Sequence, residues 1–321
     1  YKLIKSILEA HRDIKSISTD NLNFPSDKYI CEGICKDFNL EFKFLDYKND
    51  LFPNIEVLKR FIIKNKGIIV LSHVTYKACF RFPIKEINEF CKDNNSIVIW
   101  DLSHSIGAID IDMNSNRSDF AIGCTYKYLN GGPGSPAFIY VRENKIKKLK
   151  SPIKGWFSHN KPFDFSEEYQ ESSSMDKFSN GTPHILSLST LKTSLDLTIS
   201  ASTKNLEYKS HKLFDFFNSV YEEKLKDKKF DLITPNKSQE RGSHISLYHN
   251  DAWRISKCLV SPINNTSIKI IVDYRPNNII RIALTPLYTS FKDIIILCER
   301  IIEIVNTKEF EQKDSLKEGV T

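Results

Sequence analysis

The feature that most constrains the fold is an alternation of short apolar runs with segments of helical periodicity. The runs GIIVLSH (residues 67–73) and SIVIWD (residues 96–101) are apolar almost throughout and rich in β-branched residues. Between them, IKEINEFCKDN (residues 84–94) repeats its apolar positions at helical spacing. Strands of this kind separated by helices are typical of a mostly parallel sheet covered on both faces. We therefore predict an α/β fold whose large domain is a three-layer α/β/α sandwich, with further strands at DFAIGCT (residues 119–125) and PAFIYV (residues 136–141).

The pattern changes after a long helical stretch that runs from about Ile185 to Glu223, with a break inside it. Beyond it come HISLYH, AWRISKCLV, SIKIIVDYR, IIRIALTP and SFKDIIILCERIIEIV, which follow one another as strand, helix, strand, strand and helix. This order predicts a second, smaller α/β domain. We place the large domain at residues 1–205 and the small C-terminal domain at residues 206–321. Because the chain opens on Tyr1 inside a helix-like pattern, we expect part of the large domain, and any targeting signal, to precede it.

Charge and cysteine usage argue against several classes of protein. The 46 basic and 40 acidic residues are interleaved, without the basic stripe and intervening aromatic residues of a nucleic-acid surface. The longest apolar runs are too short to cross a bilayer. The seven cysteines form no CxxC pair and no Cys/His cluster at zinc spacing, which favours free thiols in a reducing compartment. We expect a cytoplasmic protein that binds no nucleic acid, no membrane and no metal.

Chemically functional side chains close three successive apolar runs. Ser72 and His73 end the first run, Asp101 ends the second, and Thr125 to Lys127 end the third. Because ligands on parallel sheets collect at the carboxyl ends of the strands, these side chains should lie along one edge. Asp101 also stands between two large apolar residues, so its carboxylate needs a partner that compensates for lost water.

Two interpretations of Asp101 and Lys127 are open. The structural one is an ion pair that ties two loops at the rim of the sheet, and spacing alone favours it. The chemical one is that both grip one cofactor, because pyridoxal phosphate needs a carboxylate at its ring nitrogen and an amine at its aldehyde carbon. In that case the turn that contains Gly131, Gly132 and Gly134 would fix the direction of Lys127.

The residues of the motifs favour the chemical interpretation. Six of them, in family order from about residue 19 to residue 305, closely resemble those of kynureninase, the pyridoxal-phosphate hydrolase that cleaves kynurenine to anthranilate and alanine: FPSD (24–27), LSHVTY (71–76), VIWDLSHSIGA (98–108), AIGCTYKYLNGGPGSPAF (121–138), RGSH (241–244) and TPLY (285–288). The resemblance implies a fold-type I, aminotransferase class V-like architecture and pyridoxal 5'-phosphate as the cofactor. It also implies a role in tryptophan degradation and NAD biosynthesis.

The resemblance assigns roles at the cofactor ring. Lys127 would hold the cofactor covalently and later move the Cα proton, with Tyr126 as a second acid–base group. Asp101 would pair with the pyridine nitrogen, and His104 would lie near the phenolic oxygen. Phe24 would stack on the ring, as aromatic side chains do on flat π-systems.

The resemblance assigns further roles around the ring. Ser26 and Asp27 would form the polar rim, while Ser72 and Tyr126 would offer hydroxyls, Tyr126 to the phosphate. Trp156 and Thr182 would reach the phosphate from the neighbouring subunit, which implies a homodimer with shared active sites. Arg281 would bind the α-carboxylate of a kynurenine-type substrate through a bidentate fork.

Other interpretations stay open. Taken singly, Phe24 and Trp156 could be packing residues and Arg281 a surface residue. Another fold-type I enzyme, such as a cysteine desulfurase, would need a nucleophilic cysteine on a loop over the site. A truncated, catalytically inactive fragment is a further alternative, because the family's N-terminal segment, with a Leu–Thr pair that binds the phosphate, is not in this sequence. The choice between kynurenine and 3-hydroxykynurenine also stays open.

Overall fold

The computed structural model describes residues 1–264 and 267–314, and the chain forms two compact units. The first unit comprises Tyr1–Tyr76, Phe82–Ile106 and Ile111–Ile199, and the second comprises Lys77–Arg81, Gly107–Asp110 and the residues from Ser200 onward. The second unit therefore takes in two short segments that the sequence pattern placed in the large domain. The domain boundary between residues 205 and 206 stays a prediction.

The first unit is built on a mostly parallel sheet, which confirms the predicted α/β class. Its strands are β1 (Ser16–Asp20), β2 (Glu41–Leu45), β3 (Ile68–Ser72), β4 (Ile97–Asp101), β5 (Phe120–Cys124) and β6 (Ala137–Val141). They lie in the order β2-β1-β3-β4-β5-β6, and β6 runs antiparallel to β5 while the other neighbours are parallel. Both β1 and β3 are buried at every position, and Ile17 of β1 and Ile68 and Val70 of β3 belong to the apolar core of this unit.

Helices separate the first four strands along the chain, and α4 lies where the apolar periodicity predicts a helix. They are α2 (Pro25–Phe38), α3 (Ile55–Lys64) and α4 (Ile84–Asp93), while α1 (Lys2–Ala10) precedes β1 and α5 (Glu143–Ile146) follows β6. The parallel strands β4 and β5 are joined by a described segment that contains no helix. Local chemistry sets several of their ends. Pro25 occupies the first turn of α2, and Asn39 ends this helix in the left-handed conformation, with φ of 52°. Asn54 caps α3 by accepting a hydrogen bond from the Val57 N–H.

The register of the sheet brings the predicted functional residues to one edge. Ser72 is paired with Asp101 across β3 and β4, and Asp101 is paired with Ile122 across β4 and β5. The segment after β5 that contains Lys127 therefore leaves the sheet at the same edge. In open α/β sheets, ligands bind at this edge, next to the carboxyl ends of the strands.

The long helical stretch is broken, as predicted. It forms α6 (Ile185–Ala201) and α7 (Thr203–Val220), and a π-helical turn at Tyr221–Leu225 continues α7. The break is at Ser202, whose φ of 67° is incompatible with a continuous right-handed helix.

The second unit is built on an antiparallel sheet with strands β7 (Asp231–Leu232), β8 (His244–Tyr248), β9 (Asp273–Arg275) and β10 (Ile279–Ala283). The strand order is β7-β8-β10-β9. The helices α8 (Ala252–Val260) and α9 (Phe291–Asn306) contribute to its apolar core. A capping box between Ser290 and Asp293 begins α9.

Within residues 1–264 and 267–314, every helix is too short or too polar to span a membrane.

Candidate active site at the carboxyl edge of the sheet

The turn after β5 fixes where Lys127 leaves the backbone. The Lys127 carbonyl accepts a hydrogen bond from the Asn130 N–H at 2.9 Å, and the Thr125 carbonyl accepts one from the Gly131 N–H at 2.9 Å. The Thr125 hydroxyl ties the far side of the turn by donating to the Pro136 carbonyl at 2.5 Å. Gly132 adopts φ of 80°, which other residues rarely adopt. The sequence thus builds a rigid support for one lysine.

Lys127 lies in a cavity of about 240 Å³ that is formed within the first unit. Six of the predicted site residues line it: Phe24, Ser26, Asp27, Asp101, Tyr126 and Lys127. The cavity wall is completed by Ser103, Ile122, Gly123, Cys124 and Ala137. The structure therefore brings together groups from β4, β5, the turn after β5 and the start of α2.

The Lys127 amine is surrounded by the groups expected around a reactive lysine. Its Nζ lies 3.2 Å from Nε2 of the buried His104. The same Nζ is 5.8 Å from the centre of the Phe24 ring and 5.7 Å from the centre of the Tyr126 ring. Both rings are within the range of cation–π attraction. These contacts stabilise the amine at the edge of the sheet.

Asp101 is buried and directs one oxygen to a neighbouring serine. Its Oδ1 accepts hydrogen bonds from the backbone N–H of Ser103 at 2.9 Å and from the Ser103 hydroxyl at 2.5 Å. Both hydrogen bonds that the Asp101 carboxylate accepts from the described residues go to this oxygen, so Oδ2 is the one available to a cavity ligand. A buried carboxylate with a cation partner is far less costly than one without.

Asp27 gives the cavity a second carboxyl group. Burial, followed by the nearby Asp101 carboxylate, raises the pKa of Asp27 to about 7, while the Asn23 side chain, the N-terminal amine and the Lys127 cation act in the opposite direction. Its Oδ2 is buried, and among the described residues no group donates a hydrogen bond to it. Two carboxyl groups with available oxygens in one cavity favour a ligand that carries a cationic N–H group.

Ser72 lies behind this cavity rather than in its wall. The side chain is buried, and its hydroxyl donates to Oδ1 of Asn23 at 2.5 Å. Asn23 and Ser103 are site-supporting residues that the sequence analysis did not identify. For Ser103 a signal existed, because it lies two residues after Asp101, a spacing at which a serine can bond back to an aspartate.

Trp156 and Thr182 lie outside the Lys127 cavity, but their segments adjoin each other. The Phe157 N–H donates to the Asn180 carbonyl at 3.1 Å, which joins the backbone beside Trp156 to the backbone before Thr182. Thr182 is exposed. Trp156 is 40% exposed and stacks with Phe165, with ring centres 6.3 Å apart. Their assignment to a phosphate site stays a prediction.

Arg281 belongs to the second unit, on β10, and is paired internally. Its Nε and Nη2 atoms donate to Oδ2 of Asp273 at 3.0 and 2.6 Å. The antiparallel register places these two residues opposite each other. Arg275 approaches the other oxygen of Asp273, with its Nη2 at 3.4 Å from Oδ1. The predicted role of Arg281 in substrate binding stays a prediction.

Comparisons with known proteins identify the family. The model of the kynureninase C-terminal domain matches residues 206–301. Kynureninase of Pseudomonas fluorescens is 32% identical over 296 residues, which is 92% of this chain and 68% of the relative. Kynureninase of Burkholderia pseudomallei (strain K96243) is 30% identical over 292 residues, which is 91% of this chain and 68% of the relative.

Solved structures agree in fold. A cysteine desulfurase from Thermococcus onnurineus NA1 aligns with a TM-score of 0.73 and 16% identity over 92% of this chain and 73% of the other. An alanine–glyoxylate aminotransferase from a Nostoc species aligns with a TM-score of 0.70 and 14% identity over 91% of this chain and 75% of the other. The TM-scores confirm the predicted aminotransferase class V-like fold, and at such low identity they say nothing about the reaction. The identity to curated relatives over two thirds of their length shows more: the chain belongs to the kynureninase family.

Proposed function

We propose that this chain hydrolyses kynurenine, 3-hydroxykynurenine or both, releasing L-alanine and anthranilate or its 3-hydroxy derivative. Membership of the family makes the protein a pyridoxal-phosphate-dependent hydrolase of carbon–carbon bonds. The observation that carries the proposal is Lys127 Nζ, held 3.2 Å from His104 Nε2 in a cavity that also contains Asp27 and Asp101. From the same family membership we infer that the reaction belongs to tryptophan degradation and NAD biosynthesis.

The residues of the cavity fit pyridoxal phosphate. A protonated pyridine nitrogen is a cationic N–H donor. Among the described residues, Asp101 Oδ2 and Asp27 Oδ2 accept no hydrogen bond, so either oxygen could accept one from this nitrogen. The Phe24 side chain, with its ring 5.8 Å from Lys127 Nζ, supplies an apolar face for a flat ring. Lys127 would hold the aldehyde carbon, and Ser26 and Tyr126 would supply polar contacts.

The protein's own groups perform orientation and proton transfer. When bound, the cofactor supplies an electron sink for the electrons left on the substrate Cα. Lys127 removes the Cα proton, and His104 holds the lysine nitrogen in place for that transfer. Water then adds to the γ-carbonyl carbon, and the Cβ–Cγ bond breaks. Tyr126, which also lines the cavity, is the proposed second acid–base group and donates the proton that Cβ requires.

We assign the substrate carboxylate to Arg281 and part of the phosphate to a second subunit. Arg281 is already paired with a carboxylate, Asp273, and a substrate carboxylate presents the same chemistry to its guanidinium group. Trp156 and Thr182 lie on adjoining exposed segments outside the Lys127 cavity, as expected of residues that act across an interface. We therefore propose a homodimer with shared sites, located in the cytoplasm.

The experiment measures cofactor binding and reaction products with the purified 321-residue chain. We expect a visible absorbance band when pyridoxal phosphate is added, followed by anthranilate fluorescence when kynurenine is supplied. Lys127→Ala should abolish the covalent band and lower turnover roughly 1,000-fold or more. Lys192→Ala is the matched control, because Lys192 is exposed, pairs with Asp196 and does not line the cavity.

Two outcomes would replace the proposal. Sulfide released from cysteine, without anthranilate from kynurenine, would indicate a desulfurase. A folded chain that binds no pyridoxal phosphate would indicate a non-catalytic interaction module. An unchanged covalent band in Lys127→Ala would remove Lys127 from its assigned role.

A further inference from the structure

We propose that Asn23 is a positioning residue that fixes Phe24 against the cofactor, and that Ser72 acts through Asn23. The proposal rests on the proposed function, since it takes pyridoxal phosphate as the occupant of the Lys127 cavity. Asn23 does not line that cavity, so its effect on the cofactor must pass through a neighbour that does. Two neighbours qualify: Phe24, whose backbone Asn23 holds, and Asp27, whose carboxyl group the Asn23 side chain also influences. We assign the effect to Phe24, and the double-mutant cycle below separates the two routes.

The amide group of Asn23 has every hydrogen-bonding position occupied. Its Oδ1 accepts from the Phe24 N–H at 2.8 Å and from the Ser72 hydroxyl at 2.5 Å. Its Nδ2 donates to Thr19 Oγ1 at 3.0 Å and to the Val70 carbonyl at 3.2 Å. An asparagine amide offers two acceptor positions and two hydrogens, so this set saturates it. At 5% exposure, a lost partner could not be replaced by bulk water.

These bonds join three separate pieces of the chain. Thr19 is on β1, Val70 and Ser72 are on β3, and Phe24 immediately precedes α2. The backbone is held as well, because the Asn23 N–H donates to Oδ1 of the buried Asp20 at 2.8 Å. Asn23 therefore sets the position of the Phe24 backbone relative to two strands of the sheet.

Phe24 carries this placement to the cavity. Its N–H lies at the start of α2, outside the helical hydrogen-bond ladder, and Asn23 satisfies it. Its ring lies edge-on to Tyr76, with ring centres 5.4 Å apart at 84°, and one face approaches Lys127. Ser72 reaches Phe24 by the same route, because its hydroxyl shares Oδ1 of Asn23 with the Phe24 N–H. A shift of Asn23 would misplace the ring that the cofactor should contact.

A double-mutant cycle on cofactor affinity tests this coupling. The dissociation constant of pyridoxal phosphate is measured by absorbance titration for Asn23→Ala, Phe24→Ala and the double variant. We expect each single variant to weaken binding about tenfold, because a buried hydrogen bond and an aromatic contact have similar worth. The double variant should bind about as weakly as Phe24→Ala alone, because Asn23 acts through Phe24. Ser72→Ala, a milder change, should weaken binding less and also add nothing to Phe24→Ala.

Asn88→Ala provides the matched control. Asn88 is also 5% exposed and has three side-chain hydrogen bonds: its Nδ2 donates to the Asn116 carbonyl and the Ser118 hydroxyl, and its Oδ1 accepts from the Trp100 Nε1–H. It should lower thermal stability as Asn23→Ala does, yet leave the dissociation constant of pyridoxal phosphate unchanged.

The outcomes separate this proposal from the proposed function. If the unmodified chain binds no pyridoxal phosphate, both fail. If the unmodified chain binds pyridoxal phosphate, two results would overturn the positioning role alone. The first is that Asn23→Ala and Ser72→Ala leave the affinity unchanged. The second is that their losses of affinity multiply with that of Phe24→Ala in the double variants. Full multiplication by Ser72→Ala would instead indicate direct contact between Ser72 and the cofactor.

Discussion

At the scale of single residues, Asp20 shows how the sheet edge tolerates an acidic group. The side chain is 2% exposed, and its Oδ1 accepts hydrogen bonds from the backbone N–H groups of Leu22 and Asn23. No described residue donates a hydrogen bond to Oδ2. Burial, opposed by the hydrogen bonds to Oδ1, raises the pKa of Asp20 from 3.8 to about 7. The folded chain therefore retains this proton longer than the unfolded chain does.

The raised pKa predicts how stability depends on pH. Because the folded state binds the Asp20 proton more tightly, its free energy of unfolding falls as pH rises from about 4 to 7 and then levels off. An asparagine at this position would not titrate and would keep an acceptor for both N–H groups. We expect Asp20→Asn to be progressively more stable than the natural chain over that range, by at most roughly 4 kcal/mol above pH 7. Urea unfolding at several pH values measures it.

Asp112 provides a control of opposite sign. It is exposed, and hydrogen bonds from Ser115 and Asn114 lower its pKa. Its contribution to stability is therefore present above the ordinary pKa and is lost as pH falls, so Asp112→Asn should be less stable than the natural chain at neutral pH. Equal pH profiles for Asp20→Asn and the natural chain would contradict the assignment of a raised pKa to Asp20.

At the scale of elements, the turn after β5 determines the direction of Lys127. Thr125→Val keeps the shape of the side chain but removes the hydroxyl bonded to the Pro136 carbonyl and to Ser135 Oγ. We expect cofactor affinity to fall about tenfold, because the loss of a buried hydrogen bond loosens the turn. Thr198→Val on α6 removes another hydroxyl bond of a buried threonine, to the Ser194 carbonyl, and should leave that affinity unchanged. Equal affinities in both variants would contradict the role of the turn.

The elements nearest the site were predictable because each carries its own signal. β3 and β4 were each predicted from a continuous apolar run. In the structure β3 begins at Ile68 and β4 at Ile97, each one residue after the start of the predicted run. Asp101 and Lys127 could be placed on one edge because chain order alone brings parallel strands to a common end. In contrast, β7 has two residues and no periodicity; it exists because Leu232 pairs with Leu247 and its N–H donates to the Tyr221 hydroxyl.

Contacts between distant segments were not predictable from local pattern. Asn23 and Val70 are separated by 47 positions, and their bond depends on how β1 and β3 lie beside each other. The pairing of Arg281 with Asp273 likewise depends on the register of two strands. Motif resemblance supplied the candidate functional residues, whereas the positions of their supporting residues required the fold.

At the scale of the whole molecule, shared sites predict complementation between two inactive variants. If Trp156 acts on the site of the other subunit, a dimer of one Lys127→Ala chain and one Trp156→Ala chain contains one intact site. Equal mixing after dissociation and reassociation should then restore about a quarter of the natural activity. The measurement is anthranilate release by the mixture compared with each variant alone. Activity no greater than the mean of the two variants would contradict sharing.

The closeness of Asp27 to Asp101 also has a consequence for cofactor binding. Burial and the neighbouring carboxylate favour a neutral Asp27, with a pKa of about 7. A ring that is already cationic when it binds beside both groups, as proposed, favours the ionised form, so its binding releases the Asp27 proton. Affinity for the cofactor then increases with pH between about 6 and 8, and by the same linkage the chain gains most stability from its cofactor in mildly alkaline solution. The cavity thus couples occupancy, protonation and folding in a single equilibrium.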